Sequence, residues 1–295
     1  MIRALPWVLC AGIAVAKLFL PDAAEAVVPI RESQPALEQP TGSFLTGDIG
    51  VNFVSKYLLA GIVYENQGMI AQPYADVIFR LHEGEGFVTK VSLAMGFASS
   101  VQSNKTLAPL ESSVPEWFEQ DYKPVLSVTF AKNFTLATTY CFFSSPSGAF
   151  PTARALKWRL DINDADLLGA FALHPHFTYL REMEKKVGNG SSQGNYYEMG
   201  IAPALPRLGP VLLTLPMTVG FGTEQFYVGN EGFGYFSGGV NLAVPIKCIP
   251  AGYGKWTVNA GVTYYYVHGA LAKPNALRGS NHNDFVFNGG VGMEF

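Results

Sequence analysis

His174 and His176 flank Pro175 and form the tightest pair of imidazoles in the chain. On an extended strand, residues two apart share a face, so both rings would project the same way. Such a pair could begin a zinc site, but zinc wants a third His or a carboxylate, and the spacing places none. The alternative is a pair of polar groups on a wet wall, and we adopt that reading. His268 and His282 stand apart from any acid–base pattern. Three cysteines are present: Cys10 near the N-terminus, then Cys141 and Cys248. A disulfide needs Cα atoms within about 7 Å. Cys141 falls near one end of a strand-like segment and Cys248 in a turn at the other rim, about 33 Å away for a strand of about ten residues, so no pairing is expected. No cysteine spacing fits a metal site.

The other chemistry-bearing residues are charges, and their placement matters more than their number. Charged residues make up only 15% of the 295 residues and hydrophobic ones 48%, with 31 Gly and 13% aromatics. Soluble domains usually carry about 25% charged residues. The net charge of -3 gives no basic surface to neutralise phosphates, so nucleic acid is not an expected partner. From residue 46 onward the dominant period is two, the signature of strands. Twelve segments can be drawn, among them Ile49-Val51-Phe53-Ser55-Tyr57, Phe118-Tyr122-Leu126-Val128-Phe130 and Phe171-Leu173-Phe177-Tyr179. The segment Tyr197-Met199-Ile201 is the least regular, and ten or fourteen strands also fit.

In these segments the apolar frame holds no charge. The other frame carries Asp76, Arg80, Lys90, Asp121, Lys123, Lys157, Arg159 and Asp161, with His174 and His176 in the same register. Later segments place Asn241, Asn259 and many Gly, Ser and Thr residues there. A Lys or Arg facing lipid at mid-bilayer costs about 2–4 kcal/mol, whereas one facing a wet interior costs little. The connections alternate between mostly short turns and longer loops, the rhythm of outer-membrane barrels. The expected fold is an all-β, antiparallel, up-and-down transmembrane β-barrel of about 12 strands over residues 46–295.

Residues 1–26 read as a secretory signal: Arg3, an apolar run from Ala4 to Ala16, then Ala24-Glu25-Ala26 as a small-x-small cleavage pattern. Residues 27–45, with Pro29, Pro35 and Pro40, form a periplasmic lead or tether. A His-x-Ser pair, used by barrel lipases and deacylases, does not occur, and no catalytic residues or cofactor are expected. Twelve strands lie between the filled bore of eight and the aqueous channel of sixteen. The charged wall facing a small, polar wall therefore leaves two readings open: a narrow solute path, or charges that pair and fill the bore. The long loop Ser99–Trp117, with Leu107, Leu110, Val114 and Trp117, is a candidate to fold inward or to dock a neighbour.

The chain ends Gly289-Gly290-Val291-Gly292-Met293-Glu294-Phe295. This resembles the C-terminal strand signal of bacterial outer-membrane proteins, which implies that Val291, Met293 and Phe295 are read by the barrel-assembly machinery. Val54-Ser55-Lys56-Tyr57-Leu58-Leu59-Ala60-Gly61, followed by Gln72, resembles the opening of the TorF-like porins. Ser55, Tyr57, Gly61 and Gln72 match, and Ala60 stands where that group has Arg. The resemblances imply a bacterial outer-membrane location, lipid as surroundings and a porin-like channel for small hydrophilic solutes. A non-conducting structural or adhesive barrel and a barrel hydrolase are the alternatives.

Overall fold

A computed structural model describes residues 43–103, 117–184, 187–188, 193–227, 232–269, 271 and 282–295. The signal (1–26), all but the last three residues of the 27–45 lead, and the centre of the long second loop, 104–116, lie outside the described residues. The alternating segments form β1 (Leu45–Val54), β4 (Ile70–Glu83), β5 (Val88–Gln102), β6 (Trp117–Phe130), β7 (Phe134–Ser144), β8 (Ala153–Ile162) and β9 (His176–Glu184). They continue as β10 (Asn195–Ile201) with β11 (Ala204–Leu208), β12 (Val211–Thr214) with β13 (Met217–Gly222), β14 (Gly232–Pro245), β15 (Lys255–Val267) and β16 (Asn283–Glu294). Each pairs antiparallel with its neighbour, and β16 returns to β1 to close a twelve-stranded barrel. Closure pairs the strands around the belt, as hydrocarbon requires; among the described residues of the barrel sheet β11 alone has a ladder partner, β12, on one side only. Two short strands, β2 (Tyr57–Leu59) and β3 (Ile62–Glu65), form a separate hairpin between β1 and β4.

The seam is set at the C-terminus. Val51 faces Val291 and Ile49 faces Met293 across β1 and β16. Beyond the last ladder pair, the backbone N–H of Phe295 donates to the Gly47 carbonyl (3.0 Å), and Gly47 returns the bond (3.1 Å). The Phe295 ring lies on Gly47, where a Cβ would sit 2.6 Å from its Cζ. Any larger residue at this position would lift the terminal ring from the seam.

The two frames separate as their polarity predicts. Ile49, Phe53, Met95, Leu126, Phe177, Met199, Leu242 and Phe287 are exposed on the outside, while Asp48, Asn52, Asp121, Arg159 and Glu198 are buried within. Among the described residues no helix is long and apolar enough to cross a membrane; the crossing is made by strands. Stacked rings run across the exterior, Trp158 on Tyr179 (5.4 Å) and Tyr179 on Tyr197 (5.2 Å). Offset stacking of this kind is worth about 0.5–1.5 kcal/mol beyond area burial.

Three details differ from the sequence reading. Tyr57 does not continue β1 onto the lipid face: β1 ends at Val54, and Tyr57 opens the hairpin at 2% exposure. Phe118 is also inside, because a register shift between Ser100 and Val101 turns it inward. The seventh strand starts later than its apolar pattern suggests, at His176 rather than Phe171. Residues 163–175 instead form a structured turn with a helical segment, α1 (Ala165–Leu168), then one turn of 3-10 helix (Gly169–Phe171).

Candidate functional site

The bore is the site, and its two halves, the inner one toward the mostly short turns and the outer one toward the longer loops, differ. In the inner half, polar residues line the wall. Asn52 on β1 and Asn259 on β15 flank Gly290, while Asn241 on β14 and Asn288 on β16 flank Gly261. The Tyr74 hydroxyl lies over Gly50 and Gly292 (2.5 Å to an added Cβ at each). The small residues are floors on which longer neighbours rest, so the amides lie flat along the wall.

Across the bore stand the charges. Lys123 Nζ meets Asp121 Oδ2 at 2.8 Å on β6, and Arg159 Nη2 meets Asp161 Oδ1 at 2.8 Å on β8. Nearer the inner rim Arg80 Nη1 reaches Glu83 Oε2 at 2.5 Å. Asp76 reaches across to Gly96 on β5 (2.7 Å from Asp76 Oδ1 to an added Cβ), and Lys90 and Lys157 keep the same inward register on β5 and β8. His176 faces in from β9, its Nε2 3.6 Å from Glu198 Oε1. The three pairs neutralise neighbouring residues on one strand instead of bridging the bore, so they leave its middle to other groups.

His174 is not part of this wall. It sits in the turn before β9 with φ at +48°, and its backbone N–H donates to Asp164 Oδ1 (2.9 Å). The two histidines therefore do not share a strand face. The left-handed backbone at His174 breaks the alternation that the period-two argument assumed. Among the described residues no group of three His, Cys, Asp or Glu is placed to hold a metal ion.

The outer half is closed by the first loop. The ladder pair Val54–Ile70 holds its ends on adjacent staves, and the hairpin pairs Leu58 with Val63 and Leu59 with Ile62. Its turn is Ala60-Gly61, both with positive φ (51° and 76°), the backbone of a two-residue hairpin turn whose twist matches its strands. Leu58, Ile62 and Val63 are all at most 1% exposed. They pack in one apolar cluster with Phe118, Tyr196, Tyr235, Tyr265, Val267 and Val286 of the wall. Polar side chains, Glu65, Gln72, Ser99, Gln102 and Glu119 among them, are buried beside this cluster, so the upper bore is a packed core closed to solvent.

Polar contacts fix the hairpin at defined points. Tyr57 donates its hydroxyl to Glu119 on β6. The Tyr64 hydroxyl donates to the Val187 carbonyl (2.7 Å) and Tyr227 donates to the Ala60 carbonyl (2.8 Å), so two other outer loops hold it. One of these loops is organised by Glu182, whose carboxylate accepts the backbone N–H groups of Gly188 (2.8 Å) and Gly194 (2.6 Å). Lys56 pairs with Asp284 at the rim. Below the hairpin, Glu198 accepts from both Tyr196 (2.7 Å) and Tyr235 (3.0 Å). The sequence pattern did not single out the hairpin, Glu119, Glu198 or the tyrosine pair. The available signal was the run of aromatics in the inward frame, Tyr196, Tyr235 and Tyr265, which a water-filled bore would not need.

No family model matches the chain, and no curated protein matches it. Solved structures similar to it include the NanC porin, at 9% identity over 84% of this chain and 98% of that one, with a TM-score of 0.45. The KdgM porin is 10% identical over 84% of this chain and 99% of that one (TM-score 0.42). Outer membrane phospholipase A from Escherichia coli is 16% identical over 87% of this chain and 93% of that one (TM-score 0.41). Barrels of different activity share this likeness, so it does not distinguish them. Closed sheet, apolar belt and polar inner bore together define a β-barrel of the outer-membrane type.

Proposed function

We propose that this protein is a bacterial outer-membrane channel for small hydrophilic solutes, closed at rest by the hairpin of its first outer loop. The observation that carries the reading is the change along the bore. The inner half is lined with amides, hydroxyls and the Arg159–Asp161 pair, and the outer half is filled by a tethered segment packed against inward side chains of the wall. In this reading Asp76, Arg80, Lys90, Asp121, Lys123, Lys157, Arg159, Asp161, His176, Asn241 and Asn259 line the solute path. The terminal strand, with Val291, Met293 and Phe295, serves as the segment engaged by the barrel-assembly machinery.

Free diffusion is not what this bore supports. Withdrawing Leu58, Ile62 and Val63 into water costs on the order of 5–9 kcal/mol, taking about 1.5–3 for each side chain. The open fraction would then be on the order of one part in 10⁴ to 10⁷. A solute or partner must supply the difference. The same packed core favours a second reading, a barrel that never conducts and acts through its outer loops.

Planar-bilayer recording separates the two. The full-length chain should be nearly silent, with rare openings. A variant in which residues 57–67 are replaced by a short Gly-Ser link should conduct continuously, with its folding checked by heat-modifiable electrophoretic migration. A folded, trimmed barrel that stays silent would reject the channel.

A further inference from the structure

We infer that the turn between β8 and β9 is an anchor that inserts into the headgroup boundary of the inner leaflet, binding phospholipid at one point on the barrel's rim. This rests on the reading that the barrel spans a membrane. Inner turns of such barrels are short, but this one runs from 163 to 175 and is built, not slack. Asp164 clasps it at both ends: its backbone carbonyl accepts the N–H of Leu168 (2.9 Å), and its carboxylate accepts those of Leu173 (3.0 Å) and His174 (2.9 Å). What the clasp presents is apolar. Leu167 is 84% exposed and Phe171 83%, the highest values among the exposed large hydrophobic residues described.

The occupant follows from continuity. The 3-10 segment packs beside β11, and exposed Leu173 and Phe177 lead from the turn along β9 into the lipid-facing belt. Phe87 and Tyr253 are exposed in other inner turns, the level at which aromatic rings settle into headgroups. Between Asp164 and His174 the turn's one charge is Asp166, so its affinity should be for apolar chain and neutral headgroup, with no preference for anionic lipid.

Spin labels on single cysteines test this. Cys10, Cys141 and Cys248 are replaced by Ala, Ala and Ser, and labels are placed by Leu167→Cys and Phe171→Cys in refolded full-length protein in phosphatidylcholine vesicles. Phe53→Cys serves as the belt control and Glu85→Cys, exposed in another inner turn, as the aqueous control. Labels at 167 and 171 should collide more with oxygen than with a water-soluble nickel complex, inverting the ratio found at 85 and approaching that at 53. Labels at 167 and 171 that behave like 85, while 53 stays lipid-like, would overturn the anchor alone; that is also the result if a soluble periplasmic protein is the true occupant. A water-like label at 53 would remove the membrane reading and the anchor together.

Discussion

Gly61 shows how much of the closed bore rests on one side chain that is not there. Its φ of +76° lies in the left-handed region, which costs a residue with a Cβ about 1–2 kcal/mol. The added Cβ would also stand 2.8 Å from Tyr235 Cδ1, so the turn cannot seat against the wall. Gly61→Val should leave the barrel assembled and loosen the hairpin. In a bilayer the variant should open at least about tenfold more often than the wild type, the change expected from roughly 1.4 kcal/mol of lost closure. An unchanged opening frequency would show that the turn does not bear on the Tyr235 ring in the working protein. Tyr57 marks the other end of the same device, since its hydroxyl satisfies a buried carboxylate, Glu119, that would otherwise face an apolar cluster.

At the scale of elements, strands were easier to anticipate than what joins them. A period of two with charges confined to one frame is enforced by lipid on one side and water or packed interior on the other, so it survives in sequence from Ile49 to Phe295. The hairpin was hidden because Leu58, Ile62 and Val63 look like ordinary loop-flanking apolar residues; their burial depends on inward tyrosines from strands more than a hundred residues away. The seventh strand misled for a local reason. Phe171 and Leu173 keep the alternation, but the Asp164 clasp and the left-handed His174 interrupt the strand. That clasp carries its own pH test. The Asp164 carboxyl loses some hydration in the turn, yet the N–H donors of His174 and Leu173 outweigh this and hold its pKa below the ordinary carboxylate value. A lowered folded pKa means the stabilisation is complete above about 4 and is lost as pH falls through the folded value. Asp164→Asn should speed amide hydrogen exchange at Leu173 and His174 at neutral pH, and the difference from wild type should vanish in strong acid. A difference independent of pH would assign the effect to shape and not to charge.

For the whole molecule, the barrel reverses the usual order of a protein. Its most apolar surface is outside, its inner bore is polar, and a small packed core of loop and wall sits in the outer mouth. The lopsided charge distribution, visible in sequence as acidic and basic residues on the early strands and amides on the late ones, resolves into pairs along β6 and β8 facing an asparagine and glycine wall. Closure by the hairpin is the claim on which the account depends, and the chain carries its own probe of it. Cys141 points into the bore and is buried in the hairpin's cluster, whereas Cys248 lies exposed at the inner rim. With a small, water-soluble, membrane-impermeant thiol reagent, Cys248 should react promptly and Cys141 should react slower by a factor of at least about 10³, if reaction waits on hairpin withdrawal. Trimming residues 57–67 should bring the two rates together. Equal rates in the untrimmed protein would mean that water already fills the outer bore, and the closed state described here would be wrong.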